Sequence, residues 1–227
     1  MHPIHSVINC FVKSSLSREL ASIARLRVVG NEVTKMKLIL SSCDFRNEAS
    51  KETILKNLPK PISECKLLFI PNEKADCQAI NSDLYYNRME EFGFSKSNVY
   101  VFDHNQPNRF KSLDIDVIYV SGGNTFGTMD KIRKCGFDKE IINYVKGGAI
   151  YIGGSAGAHI VTQNIEHVLK YDDNNVGISD FNGLGLFDGV LICHYDYHRK
   201  NDLDTLIANS PYKVYYLTDS DSIVYEC

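Results

Sequence analysis

No apolar run in the chain approaches the roughly 20 residues of a membrane-spanning helix, and none of the first 35 residues forms the continuous apolar stretch of a secretory signal. Strong charge of either sign is also missing. The formal net charge is −3, which gives no electrostatic footprint for a nucleic acid or a membrane surface. The seven cysteines, at positions 10, 43, 65, 77, 135, 193 and 227, form no C-x-x-C pair. That excludes a zinc knuckle and a dithiol redox motif, and suits reduced thiols in a cytoplasmic protein. No internal repeat or low-complexity tract follows residue 36. What is present is ordinary for a globular chain: 227 residues, 44% hydrophobic and 23% charged. A chain of that size can bury a core without disulfides or metal.

Residues 1–35 differ from the rest, with five Lys/Arg against two Glu, and five serines. They read as an N-terminal extension, poorly ordered or loosely packed, upstream of a domain spanning 36–227. From Met36 the pattern alternates. Apolar runs at 37–42, 66–71, 98–103, 116–123 and 149–154 read as strands. Helical stretches open at Ser50 and Glu52, run from about 77 to 92, and cover 124–134 and 138–146. Near-continuous Val/Ile/Tyr runs suit parallel strands buried on both faces. The alternation predicts an α/β fold, an open, mostly parallel sheet with helices on both sides. Sites in such sheets form beyond the carboxyl ends of the strands.

The segment Gly153-Gly154-Ser155-Ala156-Gly157 fits G-x-S-x-G between a strand and a helix. There a sharp turn lifts a serine hydroxyl out of the sheet, and the helix N-terminus favours negative charge. The plain alternative is a Gly-rich turn with a capping serine. "YVSGGNTF" (119–126) ends a second strand in a glycine pair. Gly122 or Gly123 could offer a backbone N–H that forms, with that of Ala156, a two-donor oxyanion hole. The plain alternative is a turn in which Asn124 or Thr125 caps the next helix. A nucleophilic serine needs a base. His194 follows the strand-like "GVLIC" (189–193) and would emerge at the same rim. His159, on the presumed helix after Ser155, is its rival, with His167 and His198 behind. For the orienting acid, Asp219 follows another apolar run, Asp172 and Asp173 lie between serine and histidine, and Asp196 is disfavoured by its closeness to His194.

The chain resembles the serine peptidase family of dipeptidase E (aspartyl dipeptidase) and cyanophycinase. The carriers are "GGNTF" (122–126), "GGAIYIGGSAGA" (147–158), Phe187 through Cys193-His194-Tyr195, and "LTDSDSI" (217–223), within residues 36–227. The resemblance implies a class I glutamine-amidotransferase-like, three-layer α/β/α fold. It implies Ser155 as nucleophile, His194 as general base, and Gly123 and Ala156 at the oxyanion hole. It implies hydrolysis of short peptides through an acyl-enzyme, with no metal or other cofactor. Where Thr218-Asp219-Ser220 stands, dipeptidase E has Pro-Glu-Gly, which makes Asp219 the candidate third member and one methylene shorter. The alternative acid in the family falls near Asp172 or Asp173. Asn124 and Arg199 are the candidate substrate-binding residues. The Arg-containing stretch that would clamp a substrate carboxylate is matched only by Arg199 and Lys200, so a preference for N-terminal aspartate is implied by the resemblance and not by these residues. Relatives continue past the position of Cys227 with a hairpin, so ending in "SIVYEC" would leave a strand edge uncovered.

Two other readings stand beside this one. An α/β-hydrolase-type esterase also uses G-x-S-x-G, though it usually places its acid between serine and histidine. A non-catalytic amidotransferase-like binding module is the other; Ser155 stands where glutaminases carry cysteine. The expected partner is a small peptide substrate, with neither nucleic acid nor membrane, and the oligomeric state is open.

Overall fold

The computed structural model describes residues 7–9 and 35–227. The other N-terminal positions, and with them most of the expected extension, lie outside the described residues. The strands are β1 (Val7–Asn9), β2 (Lys37–Ser41), β3 (Leu67–Ile70), β4 (Val99–Val101), β5 (Val117–Val120), β6 (Ile150–Gly154), β7 (Val190–Ile192), β8 (Val214–Tyr216) and β9 (Ser222–Glu226). The helices are α1 (Glu48–Asn57), α2 (Cys77–Ile80), α3 (Leu84–Phe92), α4 (Thr125–Lys134), α5 (Asp138–Lys146), α6 (Ala156–Ile160) and α7 (Lys200–Asn209).

Seven strands form one sheet in the order β1-β9-β2-β6-β5-β3-β4. Its pairs are parallel except for β2 with β9. Alternation along each strand divides the core into the two outer layers. Leu38, Leu40, Leu68, Ile118, Val120 and Tyr151 face one cluster with Phe126 and Met129 of α4, Ile141 of α5 and Ala158 of α6. Ile39, Leu67, Phe69, Val117, Tyr119 and Ile152 face another with Ile54 of α1 and Met89 of α3. Both faces are dry, which is why these strands read as unbroken apolar runs. Each fully buried Leu or Ile contributes about 1.5–3 kcal/mol.

The structure departs from the sequence reading in three places. The stretch 77–92 is two helices: Asn81 donates its side-chain amide to the Cys77 carbonyl, and the Ser82 hydroxyl to that of Ala79. Side chains of this kind offer the backbone an alternative to helix, and the chain turns. The runs ending at Cys193 and Leu217 do not join the main sheet; β7 and β8 form a separate two-stranded parallel ribbon. The place beside β2 that either could have taken is filled by β9. The edge expected to be bare at "SIVYEC" is paired: β9 lies between β2 and β1, with Val224 opposite Val7.

Candidate active site

The carboxyl ends of β2, β5 and β6 lie side by side, and the site is built on them. Ser155 links β6 to α6 with φ 48° and ψ −106°, a conformation that costs a non-glycine residue about 1–3 kcal/mol. Its surroundings hold it there. Its N–H donates to the Ser41 carbonyl at 2.9 Å, and its own carbonyl accepts from the N–H groups of Ala158 and His159. The turn also needs helix against strand. A Cβ on Gly157 would lie 2.2 Å from the Val120 carbonyl oxygen, so only glycine lets α6 start where Ser155 requires.

His194 takes φ 53° just beyond β7. The register of the small ribbon continues past its strands: Leu217 donates to the Ile192 carbonyl and Tyr195 to that of Leu217. Ser42, at the end of β2, ties this ribbon to the main sheet. Its hydroxyl donates to the Leu217 carbonyl at 3.1 Å and accepts the His194 N–H at 2.9 Å. So although β7 and β8 are separate from the sheet, His194 and Asp219 meet Ser155. His194 Nε2 lies 3.0 Å from Ser155 Oγ, and His194 Nδ1 lies 2.6 Å from Asp219 Oδ1. A carboxylate beside Nδ1 calls for the proton on that nitrogen and leaves Nε2 to accept the serine hydroxyl. The His194 hydrogen bond holds the Asp219 carboxyl below its usual range, with a further contribution from the Cys43 thiol. The Asp219 side chain is 66% exposed, so water screens this pair. Burial and the bond to Asp219 push the Cys43 thiol up.

"GGN" after β5 lies against the serine: the position of a Gly122 Cβ is 3.3 Å from Ser155 Cβ. Among the described residues, no protein acceptor takes the N–H of Gly123 or of Ala156. Glu73 fixes this loop, its Oε2 accepting the Asn124 N–H at 2.8 Å.

The remaining candidates are engaged elsewhere. Asp172 accepts the Thr125 N–H at 2.7 Å, and the Asp173 carbonyl accepts from the Asn124 side chain at 2.9 Å. Both therefore sit at the start of α4. Asn124 also caps that helix, its Oδ1 accepting the Gly127 N–H. Arg199 donates to the Cys193 carbonyl at 2.7 Å and stacks 4.2 Å over the Tyr171 ring, bracing the strand end behind His194. Asp196 caps the turn that follows, accepting the N–H groups of His198 and Arg199. His159 is buried between Thr125 Oγ1 and the Cys193 N–H, and burial holds its pKa well below the usual histidine value. His167 donates to the Leu191 carbonyl, and His198 is exposed.

Sequence reasoning missed Ser42, Cys43, Glu73 and Asp44. The doubled serine at 41–42 closes the apolar run 37–42 and carries no sequence mark of its distant partners. For metal binding, Cys43, His194 and Asp219 bring one ligand atom each within 4.8 Å of one another. His194 Nδ1 and Asp219 Oδ1 of this group already bond to each other, at 2.6 Å.

Fold and site together define a class: a three-layer α/β protein with a strained serine after a central strand, hydrogen-bonded to a His–Asp pair from a neighbouring ribbon. The chain belongs to peptidase family S51, whose sequence profile matches residues 37–226. It is similar to an uncharacterized peptidase of Listeria monocytogenes, 37% identical over 83 residues, 36% of this chain and 40% of that protein. It is also similar to peptidase E of Citrobacter koseri, 40% identical over 85 residues, 36% of this chain and 35% of the relative. These matches thus span well under half the length of the curated relatives. Among solved structures, one from Listeria monocytogenes, provisionally assigned as a peptidase E, superposes with TM-score 0.65 at 22% identity. It covers 85% of this chain and 95% of the other. A peptidase from an acI-B1 Actinobacterium gives TM-score 0.54 at 13% identity, covering 86% of each. Both structures bear on the fold alone. Among the described residues, no helix is long and apolar enough to cross a membrane.

Proposed function

We propose that the chain is a serine peptidase that hydrolyses short peptides through an acyl-enzyme. The observation that carries this reading is the continuous hydrogen-bonded path Ser155 Oγ–His194 Nε2–Asp219 Oδ1, at 3.0 and 2.6 Å. Ser155 Oγ attacks the scissile carbonyl carbon while His194 Nε2 takes its proton. Asp219 steadies the imidazolium that results, without itself being protonated. The carbonyl oxygen, now an anion, accepts the N–H groups of Gly123 and Ala156. Each such donor is worth on the order of a hundredfold in turnover. The C–N bond breaks as His194 returns the proton to the leaving amine. A water then repeats the sequence on the ester and frees Ser155.

The esterase reading is disfavoured by chain order. The acid in contact with His194 follows it, whereas α/β-hydrolases place theirs between serine and histidine. The test is a library of dipeptides, including aspartyl and N-blocked members, offered to the wild type and to Ser155→Ala. Turnover by the wild type and its loss in the folded variant are expected. Equal turnover by both would remove Ser155 from its role, and hydrolysis of p-nitrophenyl esters with no peptide cleavage would restore the esterase.

A further inference from the structure

The strand that presents His194 is held on its two edges by different means. On one edge β8 and the chain around it supply backbone partners: the Val190 N–H donates to the Lys213 carbonyl, and the Ile192 carbonyl accepts the Leu217 N–H. Alternate residues of a strand turn their backbone groups to the opposite edge. There the partners are side chains. The Leu191 carbonyl accepts from His167 Nε2 at 2.8 Å, and the Cys193 carbonyl from Arg199 Nη1 at 2.7 Å. The Cys193 N–H donates to His159 Nε2 at 3.4 Å. Side chains thus fasten the end of β7 where a wider sheet would supply a strand.

Of these three side chains, His159 is the one that reaches the rest of the site. It lies on α6, one turn after Ser155, is only 5% exposed, and donates its backbone N–H to the Ser155 carbonyl at 3.0 Å. Its partners fix its tautomer. Cys193 contributes a donor, so Nε2 is bare and the proton sits on Nδ1. Nδ1 donates that proton to Thr125 Oγ1 at 3.2 Å. Thr125 opens α4 directly after Gly122-Gly123-Asn124, and its own N–H is fixed by Asp172 at 2.7 Å. A second proton on the ring would set N–H against N–H at Cys193. Burial, with His167, His194 and Arg199 around the ring, keeps that proton off.

We propose that His159 is a positioning residue of the reaction, which joins the strand end of His194 to α6 and α4 and so holds the base in place against Ser155 and the oxyanion donors. The imidazole of His159 touches no reacting atom. The proposal rests on the peptidase reading above. Without an acceptor on His159, the Cys193 N–H is left buried and unpaired. The strand end then shifts toward another acceptor, and His194 shifts with it. A displacement near 1 Å costs about a hundredfold.

Fluorophosphonate labelling of Ser155 tests this without a peptide, because it needs only nucleophile, base and oxyanion donors. Two substitutions separate the ends of the ring. Asparagine ends where Nδ1 stands, so His159→Asn keeps a partner for Thr125 and leaves Cys193 without one. Glutamine ends where Nε2 stands, so His159→Gln keeps an acceptor for Cys193. His159→Asn should slow labelling about tenfold to a hundredfold, and His159→Gln by less than about threefold. On the best dipeptide the loss should fall on kcat, with KM little changed. Thr125→Val removes the partner of Nδ1 and should slow labelling about tenfold, whereas Thr125→Ser keeps a hydroxyl and should hold the rate. This second pair decides the matter where a His159 variant melts below the assay temperature. Ile141→Val, a change to a buried residue of α5, controls for lost stability and should label at the wild-type rate. Labelling of His159→Asn as fast as wild type, or of His159→Gln as slowly as His159→Asn, overturns the proposal. So does equal labelling of Thr125→Val and Thr125→Ser. A folded wild type that takes no label contradicts the peptidase reading and this proposal together, and is recognised before any variant is compared.

Discussion

Replacing Gly157 with alanine adds one methyl group at a position where its cost can be read from distances. The new Cβ would lie 2.2 Å from the Val120 carbonyl oxygen, 2.9 Å from its carbon and 3.1 Å from the Val120 Cβ. Non-bonded carbons prefer about 3.5–4 Å, so α6 and the end of β5 must separate by roughly 1 Å. Neither side yields easily. Val120 is hydrogen-bonded in the middle of the sheet, and Ala156, Ala158 and Ile160 of α6 are fully buried. Overpacking of this kind costs about 1–3 kcal/mol, or some 3–10 °C in melting temperature for a domain of this size. Activity should suffer more than stability. Ser155 begins α6 while Gly122 and Gly123 follow β5, so the same shift moves the nucleophile away from one oxyanion donor. A misplacement near 1 Å costs about a hundredfold. Thermal unfolding and kcat/KM on the best dipeptide measure the two effects. Gly177→Ala is the control: its Cβ meets nothing within 4 Å, and only a φ of +67° opposes it. That variant should lose a little stability and no turnover. A Gly157→Ala protein with wild-type melting and wild-type kcat/KM would refute the argument that close approach of α6 to β5 sets the site.

Other perturbations read different parts of the site. Asp219→Asn removes the carboxylate that orients His194. A buried triad loses ~10⁴ in kcat from such a change, and because Asp219 is largely exposed a loss of about 10² is expected in steady-state assays. Gly123→Ala places a Cβ 2.4 Å from Glu73 Oε2 at a φ of +155°, and should lower kcat on the order of a hundredfold with little change in KM. His159 is held neutral by burial, with a folded pKa below its ordinary 6.5. Below that pH the unfolded chain takes up a proton the folded protein resists, so stability falls as pH drops, by at most about 1.4 kcal/mol per unit from this group. Urea unfolding between pH 7 and 5 should show a shallower slope in His159→Gln, and His167, shifted the same way, supplies part of what remains. The Cys43 thiol, raised by burial and by Asp219, should react with iodoacetamide at pH 7 more slowly than the exposed Cys77, as followed by peptide mass mapping.

The central strands were legible because each is buried on both faces and so reads as an unbroken apolar run. Ser155, His194 and Asp219 stood out as candidates because each follows an apolar run, with the acid open between Asp219 and the Asp172–Asp173 pair. The separate ribbon of β7 and β8 was not. A three-residue run carries no mark of which sheet it joins, and the answer depended on β9, an antiparallel strand after both, taking the place beside β2. The break at 81–83 was announced by Asn-Ser-Asp, but only as a choice between capping and helix. Least legible was the loop 43–46. The left-handed turn at Asp44, a residue other than glycine, sends its carboxylate inward and Arg46 toward the serine, and "CDFRN" contains no pattern that requires it. Ser42 stayed hidden for a related reason: its partners are 152 and 175 residues away in sequence.

The most direct test of the central claim is the intact mass of the folded protein after exposure to a fluorophosphonate, followed by peptide mapping. The account predicts a single covalent adduct on Ser155, absent in Ser155→Ala and formed far more slowly in His194→Ala. An unlabelled Ser155 in folded wild-type protein, or labelling at the same rate without the imidazole of His194, would contradict it.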